Sequence, residues 1–550
     1  MVIARGWMVV QRGGRVALAG RAGGEDGHDE RMVLRTITPE RSWAGEHFGL
    51  QVSAGDQELR VARPVDGAAG CCWCHAPDVI VVASDAAMAQ RSGYWQPEID
   101  WGGLDAALRR GGLPDARTAL TGLTELLPGE VLTIGAGLET KVASYWSPWD
   151  EIGRSALGDA AAAAGMLRAD IADAVAQSAA PYRRVLVAVS GGLDSSVVAA
   201  ALVATGKQVV AFTMYTDDAD GDERREAAML ASALNLPLVA RRYRLDDVDV
   251  DQPLAPALVR PIGRAQGLAF DRQARAVAAE AGTEALFTGN GGDSVFCLSR
   301  SGVALSDRLL ACRSPSAWAA TLRDLQQLTR AGHPRLLARA VRRALPGQRR
   351  YHWRADHHFL STVAEERDRR LDHPWLHPPS AFLPGKMVHV AMLLRVQQAI
   401  QDYGMLGSAP VLSPLMAQCV VATALRVPTW RWIDGGRDRA VARRAFADIL
   451  PEALLARRGK GGPDSFAIQI LEAFRARIRA RLLGGRLAAE GLLDVETLDR
   501  SLAVRGPFRS SDYVRLLQLL DAENWVRHWE RAGGTSAPGI NRHRAAEALP

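Results

Sequence analysis

Residues 185–196 read Val-Leu-Val-Ala-Val-Ser-Gly-Gly-Leu-Asp-Ser-Ser, and this stretch decides the fold. Its first five residues are apolar and mostly β-branched, which predicts a strand buried on both faces of a parallel sheet. The apolar run at 197–202 predicts a helix. A strand that enters a glycine-rich turn and opens a helix can hold an anion, because glycines let backbone N–H groups approach and the helix N-terminus adds positive potential.

The turn carries polar side chains that suit a phosphate with a bound cation. Ser190 and Ser195 offer hydroxyl groups, Asp194 offers a carboxylate, and Gly191 and Gly192 lie between them. No lysine follows the glycines, so the turn differs from the Gly-Lys-Ser/Thr loop that grips a γ-phosphate. The alternative is a glycine-rich turn of some other doubly wound sheet.

Strands and helices alternate from residue 184 onward, which is typical of a doubly wound parallel sheet. In such sheets ligands bind at the carboxyl ends of the strands. The predicted strands cover 185–189, 209–213, 236–243 and 284–287, with helices at 224–234 and 272–281.

A second glycine-rich loop, Thr-Gly-Asn-Gly-Gly-Asp-Ser-Val-Phe at 288–296, follows the fourth predicted strand. It contains Gly291, Gly292 and one carboxylate, Asp293. Two loops at one sheet edge, each with an aspartate, predict a Mg²⁺–pyrophosphate site formed by Asp194 and Asp293, because Mg²⁺ takes carboxylate and phosphate oxygens as ligands. The alternative for Asp293 is a helix N-cap or a turn residue.

Length and composition indicate a globular protein. The 550 residues predict two to four domains, and 48% hydrophobic with 23% charged residues is ordinary. No apolar run reaches the roughly 18 residues that span a bilayer, and residues 1–10 lack the layout of a secretory signal. We therefore expect a cytoplasmic protein without a membrane span.

The net charge of +6 comes from arginine more than lysine. Nucleic-acid binding is one interpretation of a basic chain. No nucleic-acid motif is present, so we favour solvated helix faces together with binding of an anionic ligand.

Three of the six cysteines cluster in Cys71-Cys72-Trp73-Cys74-His75, which raises the question of zinc. The spacing matches no paired-ligand pattern and no second Cys/His pair lies nearby. We expect structural or incidental cysteines, kept reduced.

The six-residue run at 190–195 resembles the pyrophosphate loop of the ATP-pyrophosphatase superfamily, whose members cleave ATP between the α- and β-phosphates and form an adenylate. The first 150 residues, with alternating apolar residues at 48–52 and 59–61 and a buried strand at 79–83, resemble the glutaminase-like domain of the asparagine synthetase family. The matching pieces are Gly-Glu-His-Phe at 45–48, Val-Ala-Arg-Pro at 61–64, Val-Ala-Ser-Asp at 82–85, Leu-Pro-Gly-Glu at 127–130 and Tyr-Trp-Ser-Pro at 145–148.

The resemblance implies an α/β protein: an N-terminal β-rich, Ntn-type sandwich, then a doubly wound ATP-pyrophosphatase domain with a helical C-terminal part. The expected domains are 1–150 and 151–535, the latter with a sheet part at 184–300 and a helical part at 301–535, followed by a tail at 536–550. Glutamine-using members have a nucleophilic cysteine directly after the initiator methionine, where this sequence has Val2. The first domain is therefore expected to be degenerate, and ammonia is not the expected nucleophile.

Four features resemble one branch, the lasso peptide cyclases (macrolactam synthetases). They are Val2, the second loop at 288–297, the motif Val-Pro-Thr-Trp with Gly-Gly-Arg-Asp-Arg-Ala-Val-Ala-Arg-Arg-Ala-Phe, and the turn Arg-Arg-Gly-Lys-Gly-Gly at 457–462. These enzymes activate an Asp or Glu side chain of a precursor peptide with ATP, and the peptide's N-terminal amine closes the ring. The implied partners are the precursor peptide, a leader peptidase and a leader-binding protein.

The resemblance also assigns roles to residues. Lys460 matches a lysine that stabilises the transition states, although a solvated basic turn is the alternative. The acid/base role is unassigned, with Asp402 and Tyr403 as nearby candidates. The residues expected to bind ATP and Mg²⁺ are Ser190, Gly191, Gly192, Asp194, Ser195, Gly291, Gly292 and Asp293.

Two other functions stay open. A small-molecule amide or β-lactam synthetase of the same family would share the nucleotide loops. A non-catalytic scaffold would bind nucleotide and hold a partner protease, but the intact Asp194, Asp293 and Lys460 argue against it.

Overall fold

The computed structural model describes most of the chain from residue 58 onward and four strands before it. Val2, the segment 45–48, Asp402, Tyr403, Lys460 and the tail at 536–550 lie outside the described residues. The described ranges are 7–12, 15–21, 32–36, 51–54, 58–263, 267–362, 371–380, 382–401, 409–459, 461–503 and 512–534.

Two antiparallel sheets form the N-terminal part. One has the strand order β3-β2-β1-β7-β6-β8 and the other β10-β9-β5-β4, so the predicted β-rich sandwich is confirmed. The strands are β1 (Trp7–Arg12), β2 (Arg15–Arg21), β3 (Met32–Thr36), β4 (Gln51–Ala54), β5 (Glu58–Ala62), β6 (Cys72–Ala76), β7 (Val79–Ala83), β8 (Thr124–Glu125), β9 (Glu130–Gly135) and β10 (Thr140–Ser144). Between β7 and β8 lie helices α1 (Ala86–Arg91) and α2 (Trp101–Arg110).

The burial of β7 shows how the sandwich joins the rest of the molecule. All five residues of β7 are buried. Ile80 and Val82 pack between the two sheets with Leu59 of β5, whereas Val79 and Val81 pack on the opposite face against C-terminal helices. The second sheet buries one face of this strand and the C-terminal helices bury the other, which explains why its sequence is apolar at every position.

A five-stranded parallel sheet follows, in the order β13-β12-β11-β14-β15, and confirms the predicted doubly wound topology. Along β11, Val185 and Val187 join one core and Leu186 joins the other, as expected for a strand with helices on both faces. The strands are β11 (Arg184–Ala188), β12 (Gln208–Tyr215), β13 (Leu238–Arg242), β14 (Ala285–Phe287) and β15 (Val411–Leu412).

Two details differ from the sequence-based expectation. β15 lies in the part predicted to be helical, and its two residues are too few to show a strand periodicity. The alanine-rich sequence at 151–183 predicts a helix whose apolar stripe includes Met166, but Met166 is exposed. The buried face of that helix is formed by Leu167 and Ile171 together with small alanines.

Helices cover the sheet and form the C-terminal part. The helical spacing of Met387, Val390, Leu393, Val396 and Ile400 predicts core positions, and in helix Pro384–Gln401 all of them are buried except the half-buried Val396. Within the described residues, no helix combines the length and apolar character needed to cross a membrane. The remaining helices are α3 (Pro148–Gly153), α4 (Ala160–Ala179), α5 (Leu193–Ala204), α6 (Arg224–Ala233), α7 (Gly267–Ala281), α8 (Gly292–Val295), α9 (Val303–Ala311), α10 (Pro315–Thr329), α11 (His333–Ala344), α12 (Pro384–Gln401), α13 (Gln418–Arg426), α14 (Ala440–Ala445), α15 (Glu452–Leu455), α16 (Asp464–Ala473), α17 (Arg475–Leu483), α18 (Arg486–Ala489), α19 (Val495–Ala503) and α20 (Asp512–Gly534).

Glu125 of β8 joins three parts of the chain. Its carboxylate accepts hydrogen bonds from Arg63 Nη1 at 2.7 Å and from Gln401 Nε2 at 3.0 Å, and it pairs with Arg260. Burial alone would raise the pKa of Glu125, but the two guanidinium groups lower it to about 2. The ion pairs and the Gln401 hydrogen bond thus join the sandwich, the segment after β13 and α12 at one buried point.

The cysteine cluster is built into the sandwich. Cys71, Cys72 and Cys74 are free thiols and all three are buried. Burial raises the pKa of Cys71 and of Cys74 to about 12. Within the described ranges, no group of three or more His, Cys, Asp or Glu residues is arranged to hold a metal ion.

Candidate active site

The first loop connects β11 to α5 and closes on itself. Gly191 has a φ of +62°, and a Cβ at this position would overlap Glu226 of α6. Ser195 Oγ accepts the Ser190 N–H at 3.3 Å and donates to the Gly192 carbonyl at 3.2 Å. These bonds make the loop compact. The loop lies at the carboxyl edge of the parallel sheet.

The second loop packs directly on the first because glycines stand at the contact. A Cβ at Gly289 would lie 2.5 Å from Ser195 N, and one at Gly292 would overlap the Asp194 side chain. Side chains at these positions would push the loops apart. The glycines therefore allow Asp194 and Asp293 to approach each other.

One guanidinium group joins the two aspartates. Arg439 Nη1 lies 3.2 Å from Asp194 Oδ1 and 2.6 Å from Asp293 Oδ1. The side chain of Asp194 is 6% exposed and that of Asp293 is 40% exposed, so a ligand has access from the Asp293 side. The structure thus brings together the two carboxylates that the sequence pairs, while their role as Mg²⁺ ligands stays a prediction.

Arg439 is held by its neighbours and by its backbone. It precedes α14 with a φ of +52°, and its Nε donates to Asp438 Oδ1 at 3.3 Å. Asp438 also accepts from Arg443 Nη2 at 2.6 Å. Burial alone would lower the pKa of Arg439, but Asp194, Asp293 and Asp438 raise it, so the group stays charged.

A cavity of about 370 Å³ lies at the carboxyl ends of the parallel strands. This volume is within the range of about 300–1,000 Å³ for small-molecule sites. Six of the predicted residues line it, namely Ser190, Gly192, Asp194, Ser195, Gly291 and Asp293. Gly191 and Gly292 do not line it and instead fill the contacts behind the loops.

The cavity has a polar half and an apolar half. Beside the loops, Asn290 Nδ2 is buried in the wall and has no hydrogen-bond partner among the described residues. A phosphate oxygen would satisfy this donor. The apolar half, suited to an aromatic base, is lined by Phe212, Met214, Tyr243 and Phe270.

The segment around residue 460 reaches the same cavity. Gly459 and Gly461 line it, whereas Lys460 itself lies outside the described residues. Glu223 Oε1 accepts from Arg457 Nη2 at 2.7 Å and from the Gly461 N–H at 2.8 Å. Both sides of residue 460 are thus anchored to the acidic turn after β12.

Sequence reasoning missed Arg439, Arg457 and Glu223 as site residues. The signal was present, because two carboxylates at one sheet edge need a cation nearby when no ligand is bound. Arg439 lies in the motif at 435–446, which the sequence linked to substrate choice, and Arg457 lies in the turn at 457–462, where a catalytic role was assigned to Lys460 alone.

The donor set fits Mg²⁺ together with a nucleotide. Two carboxylates alone leave most of an octahedral shell open, and Mg²⁺ usually completes it with phosphate oxygens and water. Asp194 and Asp293 would hold the metal from the protein side.

Comparison with known proteins identifies the family. The family model described as asparagine synthase matches residues 166–527, well over half of the chain. The search of curated proteins found no match. Among solved structures, the glutamine phosphoribosylpyrophosphate amidotransferase from B. subtilis, complexed with ADP and GMP, is 12% identical over 38% of this chain and 50% of that chain, with a TM-score of 0.12.

A second solved structure, titled the allosteric regulatory enzyme of purine biosynthesis, is 12% identical over 42% of this chain and 47% of that chain, also with a TM-score of 0.12. The chain thus spans about half the length of the solved chains it matches. Because these TM-scores are low, the fold is assigned from the strand order of this chain alone. The match over residues 166–527 shows that the chain belongs to the asparagine synthase family.

Proposed function

We propose that this protein is an ATP-dependent, AMP-forming ligase that joins a carboxylate to an amine. The observation that carries the proposal is the convergence of Asp194 and Asp293 in one cavity with an apolar half. This division suits a nucleotide, whose phosphates need cations and N–H donors and whose base needs an apolar surface. Membership of the asparagine synthase family supports the same chemistry.

The reaction has two steps. A carboxylate oxygen of the substrate attacks the α-phosphorus of ATP, and pyrophosphate leaves. An amine then attacks the acyl carbon of the adenylate, loses a proton, and AMP leaves. Asp194 and Asp293 would hold Mg²⁺ with the pyrophosphate oxygens, and the metal supplies neutralisation of the charge on the leaving group.

The finer proposal concerns the substrate. We infer that the carboxylate is an Asp or Glu side chain of a precursor peptide and that the amine is the N-terminus of the same peptide, so that the product is a lasso macrolactam. The motifs that carry the resemblance to lasso peptide cyclases support this, and two of them, at 435–446 and 457–462, reach the cavity through Arg439 and Arg457. Lys460 would stabilise the charge that develops in both steps.

Ring closure needs a substrate held in a folded arrangement. Orientation of the two reacting groups can supply about 7–11 kcal/mol of the barrier. A leader peptidase would free the amine before closure, and a leader-binding protein would deliver the precursor. Both partners belong to the proposal.

Mass spectrometry tests the proposal. The protein, ATP and Mg²⁺ are incubated with synthetic peptides that carry a free N-terminal amine and an Asp or Glu side chain, and AMP is measured in the same reaction. The expected result is the loss of one water per peptide, matched by one AMP. Pyrophosphate exchange with a small carboxylic acid and not with the peptide would favour a small-molecule amide or lactam synthetase, and no exchange with either would favour a scaffold.

A further inference from the structure

Arg439 occupies the position between the aspartates that a metal ion would need. Its Nη1 is within hydrogen-bond distance of Asp194 and of Asp293, at 3.2 and 2.6 Å. Its side chain is only 9% exposed, so solvent screens these contacts weakly. The charge of Arg439 thus offsets the repulsion between the buried Asp194 carboxylate and the more exposed Asp293 carboxylate.

The arginine is a fixed part of the site. Asp438 accepts from its Nε and is itself held by Arg443, whose Nε donates to the Asp438 carbonyl at 2.7 Å. Arg300 Nη2 reaches the Asp438 carboxylate at 3.5 Å. The left-handed backbone conformation of Arg439 determines the direction of its Cα–Cβ bond. Asp438, itself held by two other arginines, therefore sets the direction of this guanidinium.

A guanidinium and a divalent cation compete for the same oxygens. If both were near Asp194 and Asp293, a +1 and a +2 charge would meet in a site with little screening. Phosphate groups remove the conflict, because they offer the guanidinium bidentate acceptors and bring their own negative charge. The unpartnered Asn290 Nδ2 in the same wall is a further donor for such a ligand.

We propose that Arg439 is a resident counter-cation of the metal site, which excludes divalent cations until the phosphates of a nucleotide draw its guanidinium away from Asp194 and Asp293. The inference rests on the proposed function only in taking a magnesium nucleotide as the ligand. Because binding linkage is reciprocal, metal and nucleotide each raise the affinity for the other. The free protein would thus keep both aspartates paired without a bound metal.

Manganese titration followed by electron paramagnetic resonance tests this without turnover. Mn²⁺ alone is titrated into the full chain, and then again in the presence of α,β-methylene-ATP, which cannot be cleaved between the α- and β-phosphates. The wild type is expected to bind Mn²⁺ weakly alone. Arg439→Met and Arg439→Gln are expected to bind it about ten-fold more tightly or better, since the competing charge is gone.

Three further variants locate the effect. Arg479→Met removes an exposed arginine outside the cavity, paired with Asp499, and is expected to leave the nucleotide-free Mn²⁺ affinity at the wild-type value. Arg439→Lys keeps the charge and is expected to bind Mn²⁺ weakly, like the wild type. Asp194→Asn added to Arg439→Met is expected to abolish the gained affinity. Circular dichroism of each variant establishes that it is folded.

Equal nucleotide-free Mn²⁺ affinity in the wild type and in both neutral Arg439 variants would overturn the inference. Tight binding of Mn²⁺ by the wild type without nucleotide would also overturn it. A failure of the proposed ligase function is seen separately, as absent AMP release with an unchanged pattern of Mn²⁺ affinities.

Discussion

Glu223 and Arg457 form an ion pair with an N–O distance of 2.7 Å, and the same glutamate oxygen accepts the Gly461 N–H. Arg457 Nη1 also donates to the Ser190 carbonyl of the first loop at 3.3 Å. The acidic turn after β12 and Arg457 therefore tie the first loop to the residues on both sides of Lys460.

Glu223→Gln is expected to release this segment. A hydrogen bond to a charged group contributes roughly 1.5–3 kcal/mol, and the variant weakens the acceptor of two such bonds. Tryptic cleavage at 457–460 should become faster and AMP release slower, as measured by mass spectrometry and a coupled assay. Asp222→Asn is the control, since Asp222 pairs with Arg224. Equal proteolysis rates in wild type and Glu223→Gln would contradict the anchoring role.

Loss of the predicted catalytic groups should stop adenylate formation. Asp194→Asn, Asp293→Asn and Lys460→Ala are each expected to lower AMP release with the matched precursor by about 100-fold or more, as removal of a transition-state contact does. Asp246→Asn changes an exposed carboxylate and is expected to retain wild-type turnover. Full turnover by the Asp194 or Lys460 variant would refute the assignment.

Gly292→Ala tests the close approach of the two loops. The added methyl group would overlap the Asp194 side chain, so we expect a loss of about 1–3 kcal/mol in unfolding free energy from overpacking, together with lost pyrophosphate exchange. Gly302→Ala is the matched control, because a Cβ there would meet its nearest neighbour at 3.5 Å. Denaturant unfolding measures both, and equal stabilities would show that the loops tolerate a side chain here.

His389 should make the protein less stable in acid. Its Nε2–H donates to the Val295 carbonyl at 2.9 Å, and burial, with the nearby Lys386 ammonium, lowers its pKa from 6.5 to about 3. Below pH 6.5 the unfolded chain gains a proton that the folded chain does not, so stability present above pH 6.5 is lost as pH falls toward 3. This contribution approaches about 1.4 kcal/mol per pH unit.

Unfolding free energies between pH 7 and 4.5 measure this dependence. His389→Gln should flatten it by that slope, whereas replacement of the exposed His333 should leave it unchanged. An identical pH dependence in wild type and His389→Gln would rule out the buried histidine as its source.

Glu125→Gln should destabilise the whole chain. The variant leaves the buried guanidinium groups of Arg63 and Arg260 without a counter-charge, which costs about 3–5 kcal/mol in comparable sites. Glu58→Gln removes an exposed pair with Arg60 and should cost about 1 kcal/mol or less. Urea unfolding distinguishes the two. If both variants lost the same free energy, the buried ion pairs would not join the parts of the chain as described.

The parts of the site that sequence predicted are those encoded locally. A strand, a glycine-rich turn and a helix follow one another within about a dozen residues, and the carboxyl ends of parallel strands share an edge, so Asp194 and Asp293 were predictable as neighbours. Arg439 stands 245 residues after Asp194. Its place depends on how α14 packs and on a positive φ, neither of which has a local pattern.

The same reasoning explains the differences in the fold. The two-residue strand β15 forms because it pairs with β14. Met166 is exposed because Leu167, Ile171 and the small alanines of α4 form the face that packs on the core. The predicted boundary between residues 150 and 151 and the roles of the site residues stay predictions.

The outer face of the sandwich is part of the hydrophobic core of the C-terminal helices, with Val79 and Val81 in the same cluster as Trp525 and Trp529. This arrangement has an evolutionary consequence. A gene that lost the sandwich would leave those helices with an uncovered apolar surface, so its product would be removed by aggregation or proteolysis. Selection for a folded protein is therefore enough to keep the sandwich in every descendant.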